Sequence, residues 1–119
     1  MMEAAKLPGA PTIVSTLGAR LVQRSGQTLT SIAMLKAFYE RTNDEKTRSL
    51  LDQRIQAYLG IYQIEQALVE YVKRYGQRPA TLNDLVNMNI LDKLPENPFG
   101  EIFYYDPQTG NVDFFDQLR

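Results

Sequence analysis

The side chains that could carry chemistry in this 119-residue chain are mostly carboxylates in its last third. A close pair of carboxylates can act as acid and base in hydrolysis, and a cluster of them can bind calcium. The spacing of an EF-hand loop is missing, and we expect Asp84 and Asp106 to serve a helix cap and a turn. We therefore interpret the acids as local hydrogen-bond acceptors, with no catalytic and no metal site. The acids concerned are Asp84, Asp92, Glu96, Asp106, Asp113 and Asp116.

The chain contains neither histidine nor cysteine. Histidine is the most common general base near neutral pH and the most common metal ligand. Without cysteine, disulfides and thiolate chemistry are excluded. Serine cannot be activated by a histidine here, and no G-x-x-x-x-G-K phosphate loop occurs. We predict that the protein is not an enzyme and uses no cofactor.

The balance of charges also narrows the class of partner. The 13 basic and 14 acidic side chains give a formal net charge of −1, and the basic residues are scattered among the acids. Nucleic acids and anionic membranes both select for basic clusters, so neither is an expected partner. No apolar run approaches the roughly 20 residues that span a bilayer, and the Met1-Met2 start lacks the pattern of a signal peptide. We predict no direct membrane insertion by this chain.

The first part of the chain has the pattern of two short helices. Pro11 suits a first helical turn, and the apolar positions after it follow helical spacing as far as Ser25-Gly26, where we expect the helix to end. A second helix should run from Thr28 to just before Thr42, which makes an αα-hairpin. The apolar positions are Ile13, Val14, Leu17, Leu21 and Val22 in the first helix, and Leu29, Ile32, Leu35, Ala37, Phe38 and Tyr39 in the second.

A long helix, from about Asp44 to Tyr75, should form the spine of the molecule. Thr42 and Glu45 have the spacing of a capping box. The helix carries two apolar stripes, which is more than a single partner can cover. We expect its first half to pack on the hairpin and its second half on the C-terminal segment. Gly60 should mark a bend or a close contact, because glycine is otherwise unfavourable inside a helix.

Glycine and proline organise the C-terminal segment. Gly76 should end the spine in a left-handed conformation, with Pro79 beyond it. Thr81 and Asp84 then cap a short helix that contains Leu82, Leu85 and Val86. Pro95 and Pro98 bracket Glu96-Asn97 and favour a stiff, extended loop.

A β-hairpin should close the chain, with strands at Ile102–Asp106 and Val112–Phe115. Pro107–Gly110 is typical of a type I turn with a left-handed glycine at its end. Because side chains alternate along a strand, Phe103 and Tyr105 should share one face. The predicted fold class is α+β, mainly α: an N-terminal helical hairpin at 1–43, and a long helix, short helix and small antiparallel β-hairpin at 44–119, in one compact body.

The N-terminal part resembles one tetratricopeptide-type repeat. Leu17-Gly18 followed by Leu21 fits the first helix of such a repeat, and Gly26, Ser31, Leu35 and Phe38 fall near its turn and second helix. This resemblance implies a helical hairpin that belongs to a longer array.

The segment from Ile61 to Phe115 resembles the soluble part of the major pseudopilins of type II secretion systems, the secretion protein G family. The shared run is an aromatic helix end, Gly76, Pro79, a Leu-containing helix, a Pro-bracketed loop and a small sheet. Asn97 stands where an acid is usual and Phe99 where tryptophan is usual. The calcium-binding loop of that family has no counterpart here.

The chain as a whole is similar to bacterial extracytoplasmic proteins in which tetratricopeptide-like helices precede a pseudopilin-G-like tail. Their Leu-Pro-Gly-Ala-Pro run is present at Leu7–Pro11. The resemblance implies a periplasmic or extracytoplasmic location, with an anchor upstream of the sequence given, and no established activity.

Two functions follow as hypotheses. The first is a non-catalytic interaction or scaffold domain of a cell-envelope protein, with protein partners and possible homo-oligomers, and with exposed apolar residues around Leu7, Ile13 and Leu17. The second is a pilin-like subunit or accessory protein of a type II secretion or type IV pilus apparatus that lacks its hydrophobic helix. The structural and interaction candidates are Gly76, Pro79, Pro95, Pro98, Phe99, Gly100, Phe103, Tyr105 and Gly110.

Overall fold

Two long helices form the frame of the molecule. The computed structural model describes residues 12–115, with side chains from residue 18 onward. Helix α1 spans Thr12–Arg41 and helix α2 spans Glu45–Tyr75. A short turn at residues 42–44 connects the two helices, and α2 folds back along α1. The contacts Thr28–Glu65 and Tyr39–Arg48 show this antiparallel packing. Leu7–Pro11 and Asp116 lie outside the described residues, as do the side chains of Ile13 and Leu17.

The predicted hairpin within residues 11–41 is wrong, because α1 continues through Ser25-Gly26 without a break. The hydroxyl groups that suggested a loop donate to carbonyls of the preceding helical turn: Ser25 Oγ to Val22 O at 2.9 Å and Thr28 Oγ1 to Arg24 O at 3.1 Å. Such bonds are compatible with a helix. Gly26 costs about 1 kcal/mol relative to alanine, and packing of the inner face of α1 offsets it. That inner face is buried at Leu21, Ser25, Thr28 and Ile32.

The ends of α2 follow local chemistry. Its N-cap is Asp44, whose carboxylate accepts from the Thr47 N–H at 3.0 Å and the Thr47 hydroxyl at 2.6 Å. The predicted capping box of Thr42 and Glu45 is therefore wrong by two residues, since the charged carboxylate occupies the positive helix end. At the other end Gly76 has φ 77° and donates to Val72 O, as predicted.

The C-terminal segment wraps around α2. Helix α3 spans Asn83–Asn87, and strands β1, Tyr104–Asp106, and β2, Asn111–Asp113, pair antiparallel in a two-stranded sheet. Tyr104 pairs with Asp113, Tyr105 with Val112 and Asp106 with Asn111. Both strands are shorter than predicted, but Gly110 has the expected left-handed conformation, φ 80°. The α+β, mainly α fold class is confirmed.

The core lies between α2 and the elements on its two sides. The prediction that the first half of α2 packs on the N-terminal part and the second half on the C-terminal segment is wrong. Helix α1 contacts α2 at least from Arg48 to Glu65, and the C-terminal segment covers a second stripe of the same helix. Phe103 is buried against α2, whereas Ile102 and Tyr104 are exposed, so the predicted alternation is confirmed. The core residues are Leu21, Ala57, Ile61, Ile64, Ala67, Leu68, Val69, Val72, Leu82, Leu85, Phe103, Val112 and Phe114.

Candidate functional site

The predicted candidates fall into two groups, one around Arg78 and one in the proline-bracketed loop. The first surrounds Arg78, just after α2. The Tyr105 hydroxyl donates to Pro79 O at 2.8 Å, and Arg78 donates to the carbonyls of Pro107 and Gln108 in the hairpin turn. Gly110 is buried beside Arg78. Burial raises the pKa of Tyr105 to about 12, so its hydroxyl stays protonated as a donor. These contacts hold the hairpin against the end of α2.

The second group fastens the proline-bracketed loop. Phe99 stacks on Phe114 with ring centroids 5.0 Å apart, and Pro98 O accepts from Gln53 Nε2 at 2.9 Å. Pro95 lies over Gly60, where an added Cβ would come within 3.5 Å of its ring. Gly100 closes a turn by donating to Asn97 O at 3.1 Å. All of these candidates have a packing or hydrogen-bonding role in the loop.

Asn97 is the centre of this loop, a role that the sequence did not reveal. The residue is 3% exposed. Its amide Nδ2 donates to Ile102 O at 2.7 Å and to Phe114 O at 2.8 Å, while its Oδ1 accepts from the Phe99 N–H at 2.9 Å. An amide side chain is the only type with both the donors and the acceptor that this position needs. The position therefore favours asparagine over an acid.

A groove of about 400 Å³ lies between β1, the start of α3 and the proline-bracketed loop. We call it the β1 groove. Its buried lining is apolar and includes Ile64, Leu82 and Phe103. Its exposed rim carries Glu96 and Glu101. Sequence reasoning missed this groove, although the exposed Ile102 beside a glutamate was a possible signal.

Helix α1 presents large apolar side chains to solvent. Val22 is 56% exposed, Leu29 47%, Met34 56% and Phe38 51%. We call these four residues the α1 surface. Val22 and Leu29 are seven residues apart and share one stripe of the helix, and Met34 and Phe38 are four apart and share another. Both stripes lie outside the inner face that packs on α2.

A buried carboxylate lies between the two long helices. Glu65 is 4% exposed, and its Oε1 accepts from Thr28 Oγ1 at 2.7 Å. It lies in a cleft of about 200 Å³ whose lining includes Arg24, which donates from Nη1 to Asn111 Oδ1 at 2.8 Å. Burial raises the pKa of Glu65, and the bond from Thr28 and the charge of Arg24 oppose this shift. The arrangement bridges α1, α2 and β2, and sequence reasoning missed it because Glu65 lies in an apolar run.

We expect Glu65→Gln to raise the free energy of unfolding near neutral pH. The pKa of Glu65 is higher in the folded than in the unfolded protein, so the free energy of unfolding of the wild type falls as the pH rises through the native pKa. Glutamine does not titrate, so the variant does not lose this free energy. The difference in free energy of unfolding between the variant and the wild type should shrink as the pH falls below the usual pKa range of carboxyl groups. Urea denaturation at several pH values measures this difference, with the exposed Glu40→Gln as the control for lost charge. A difference that is independent of pH would contradict the prediction.

Two of the acids in the last third of the chain, Asp84 and Asp106, bind nearby main-chain groups. Asp84 Oδ2 accepts from the N–H groups of Ala80 and Thr81 at 3.2 and 3.3 Å, and Asp106 Oδ1 accepts from the Gln108 N–H at 3.0 Å. Asp106 has the turn role that was predicted, and Asp84 binds the main chain just before α3. The predicted cap by the Thr81 side chain is wrong, because the N-cap of α3 is Leu82, which makes no side-chain cap bond. Among the described residues, no group of three or more acidic side chains is placed to hold a metal ion.

Two further observations concern membrane spans and known relatives. None of the helices in the described part of the chain combines the length and the apolar character needed to cross a membrane. Comparisons with protein-family models, with curated proteins and with solved structures give no match. The proposals below therefore depend on the residues and contacts described above.

Proposed function

We propose that this protein is a non-catalytic protein–protein interaction domain that binds a partner through the α1 surface. The observation that supports this most is the exposure of Val22, Leu29, Met34 and Phe38 on one helix. Single exposed apolar residues are normal in soluble proteins, whereas neighbouring ones that form a contiguous patch are typical of a binding surface. Val22 and Leu29 share one stripe of α1, and Met34 and Phe38 share a second stripe on another side of the helix.

The physical gain from covering these residues is substantial. Complete burial of a Val, Leu, Met or Phe side chain is worth about 1.5–3 kcal/mol, and roughly half of each remains exposed here. Gly18 and Gly26 lie on the same helix, with no heavy atom within 4 Å of where a Cβ would be. A partner helix can approach the backbone closely at such positions. The surface thus supports a helical partner better than a small polar ligand.

The pilin-like alternative receives less support from the fold. A pilin-like spine should continue upstream of α2 as one helix. Here the chain turns at Thr42–Asp44, and α1 folds back along α2. This fold-back supports the interaction domain as the preferred hypothesis.

The test is a comparative pull-down with the immobilised chain and a lysate of its source cells. We expect wild type to retain a protein that the variant Leu29→Gln/Phe38→Gln does not. The control variant, Gln23→Asn/Lys36→Gln, changes two exposed polar residues of the same helix and should retain it. Circular dichroism would verify that all three proteins are equally helical. Retention of the same proteins by both variants, or of none by wild type, would overturn the proposal.

A further inference from the structure

Within the part of the chain that the structure describes, β1 has one strand neighbour. In the two-stranded sheet it pairs with β2, and no described residue pairs with its other edge. Asp106, the last residue of β1, pairs with Asn111, and its carbonyl accepts from the Gly110 N–H at 2.7 Å, so the main-chain groups of Asp106 are directed toward β2. Main-chain groups alternate between the two sides of a strand.

The alternation assigns the N–H and C=O groups of Tyr105, the central residue of β1, to the side away from β2. These two groups have no hydrogen bond to any described residue outside the sheet. Unpaired edge groups are a template for another strand. The structure thus places a short docking edge at β1.

The β1 groove lies along this same edge. Glu101, Ile102, Phe103 and Tyr105 line it, and no residue of β2 does. Its volume of about 400 Å³ lies at the lower end of the range for ligand pockets. An extended chain hydrogen-bonded to β1 would direct alternate side chains into the apolar part of the groove, where Leu82 and Leu94 lie opposite the strand.

The charge of the rim indicates which side chains would flank an apolar one. Glu96 and Glu101 are both exposed, and the lining of the groove includes no lysine or arginine. A lysine or arginine of the bound chain would lie near two carboxylates, whereas an acidic one would be repelled. Such rim charges act mainly on specificity and on association rate.

We propose that the β1 groove binds an extended segment of a partner protein, which adds a third strand to β1, places an apolar side chain in the groove and sets a basic side chain against Glu96 and Glu101. This is strand addition, in which main-chain bonds supply affinity and side-chain pockets supply specificity. The proposal concerns a surface other than the α1 surface, and it does not depend on the function proposed for α1.

The test uses synthetic peptides of about six residues, the usual length of a strand, and measures their binding by fluorescence anisotropy. The first peptide alternates leucine and lysine, the second leucine and glutamate, and the third serine and lysine. We expect the first to bind at least about tenfold more tightly than the other two. The Tyr105 amide should exchange with solvent in the free protein and become protected when the first peptide is bound.

The matched variants are Glu96→Lys/Glu101→Lys in the groove and Glu40→Lys/Asp52→Lys elsewhere, all at exposed positions. The groove variant should lose at least about tenfold in affinity for the leucine–lysine peptide and bind the leucine–glutamate peptide more tightly, and the control should do neither. Equal binding of all peptides, equal binding by both variants, or a Tyr105 amide that stays unprotected would overturn the proposal. Peptide binding at the β1 groove does not depend on whether the variant Leu29→Gln/Phe38→Gln retains a partner. Either proposal can therefore fail while the other holds.

Discussion

Replacing Asn97 by aspartate should lower the free energy of unfolding by about 3 kcal/mol or more, because leaving buried hydrogen-bonding groups unsatisfied costs about 1–3 kcal/mol each. Aspartate has nearly the shape of asparagine but no N–H donors. Its carboxylate would face the carbonyl oxygens of Ile102 and Phe114, which now receive two bonds from Asn97 Nδ2. The acceptor function toward the Phe99 N–H would be kept.

Chemical denaturation of wild type and variant near neutral pH measures this effect. The control is Asn83→Asp, the same chemical change at an exposed position in the first turn of α3. We expect the control to change stability by less than about 0.5 kcal/mol. Part of the loss at Asn97 should return at low pH, since a protonated carboxyl regains one donor. A variant as stable as wild type would show that the amide bonds contribute nothing to closing the loop.

Replacing Gly60 by alanine should destabilise the protein by up to about 2 kcal/mol, because overpacking a core costs about 1–3 kcal/mol and alanine returns about 1 kcal/mol of that in a helix interior. The new Cβ would lie 2.7 Å from Cζ and 3.0 Å from Cε2 of Phe103. The Phe103 ring is only 5% exposed and has little room to move. This strain should exceed the gain of about 1 kcal/mol that alanine brings to a helix interior.

The matched control is Gly26→Ala, which makes the same change inside α1. No heavy atom lies within 4 Å of the Cβ position there, so this variant should gain about 0.5–1 kcal/mol. Thermal and urea unfolding of both variants would show changes of opposite sign. In a Phe103→Leu background, which removes the ring, the penalty at Gly60 should largely disappear. An equal gain in both glycine variants would contradict the close contact.

The features that the sequence determined are those set by one residue and its neighbours. A left-handed glycine after α2 and another in the hairpin turn were predicted at Gly76 and Gly110, because few other residues adopt positive φ without strain. A bend or a close contact was predicted at Gly60, because glycine is otherwise unfavourable inside a helix, and the structure shows the contact. That Phe103 lies on the opposite face from Ile102 and Tyr104 followed from strand alternation.

The features that only the tertiary structure decided depend on residues far apart in the chain. Ser25-Gly26 suggested a loop, yet the stretch stays helical because α2 covers the inner face of α1. Glu65 and Thr28 are 37 positions apart, and Arg24 and Asn111 are 87 apart. The β1 groove likewise forms where three separate segments meet. Local pattern shows which conformation a segment favours, whereas burial, long-range hydrogen bonds and exposed surface depend on what the folded chain places beside it, and the candidate binding surfaces belong to this second kind.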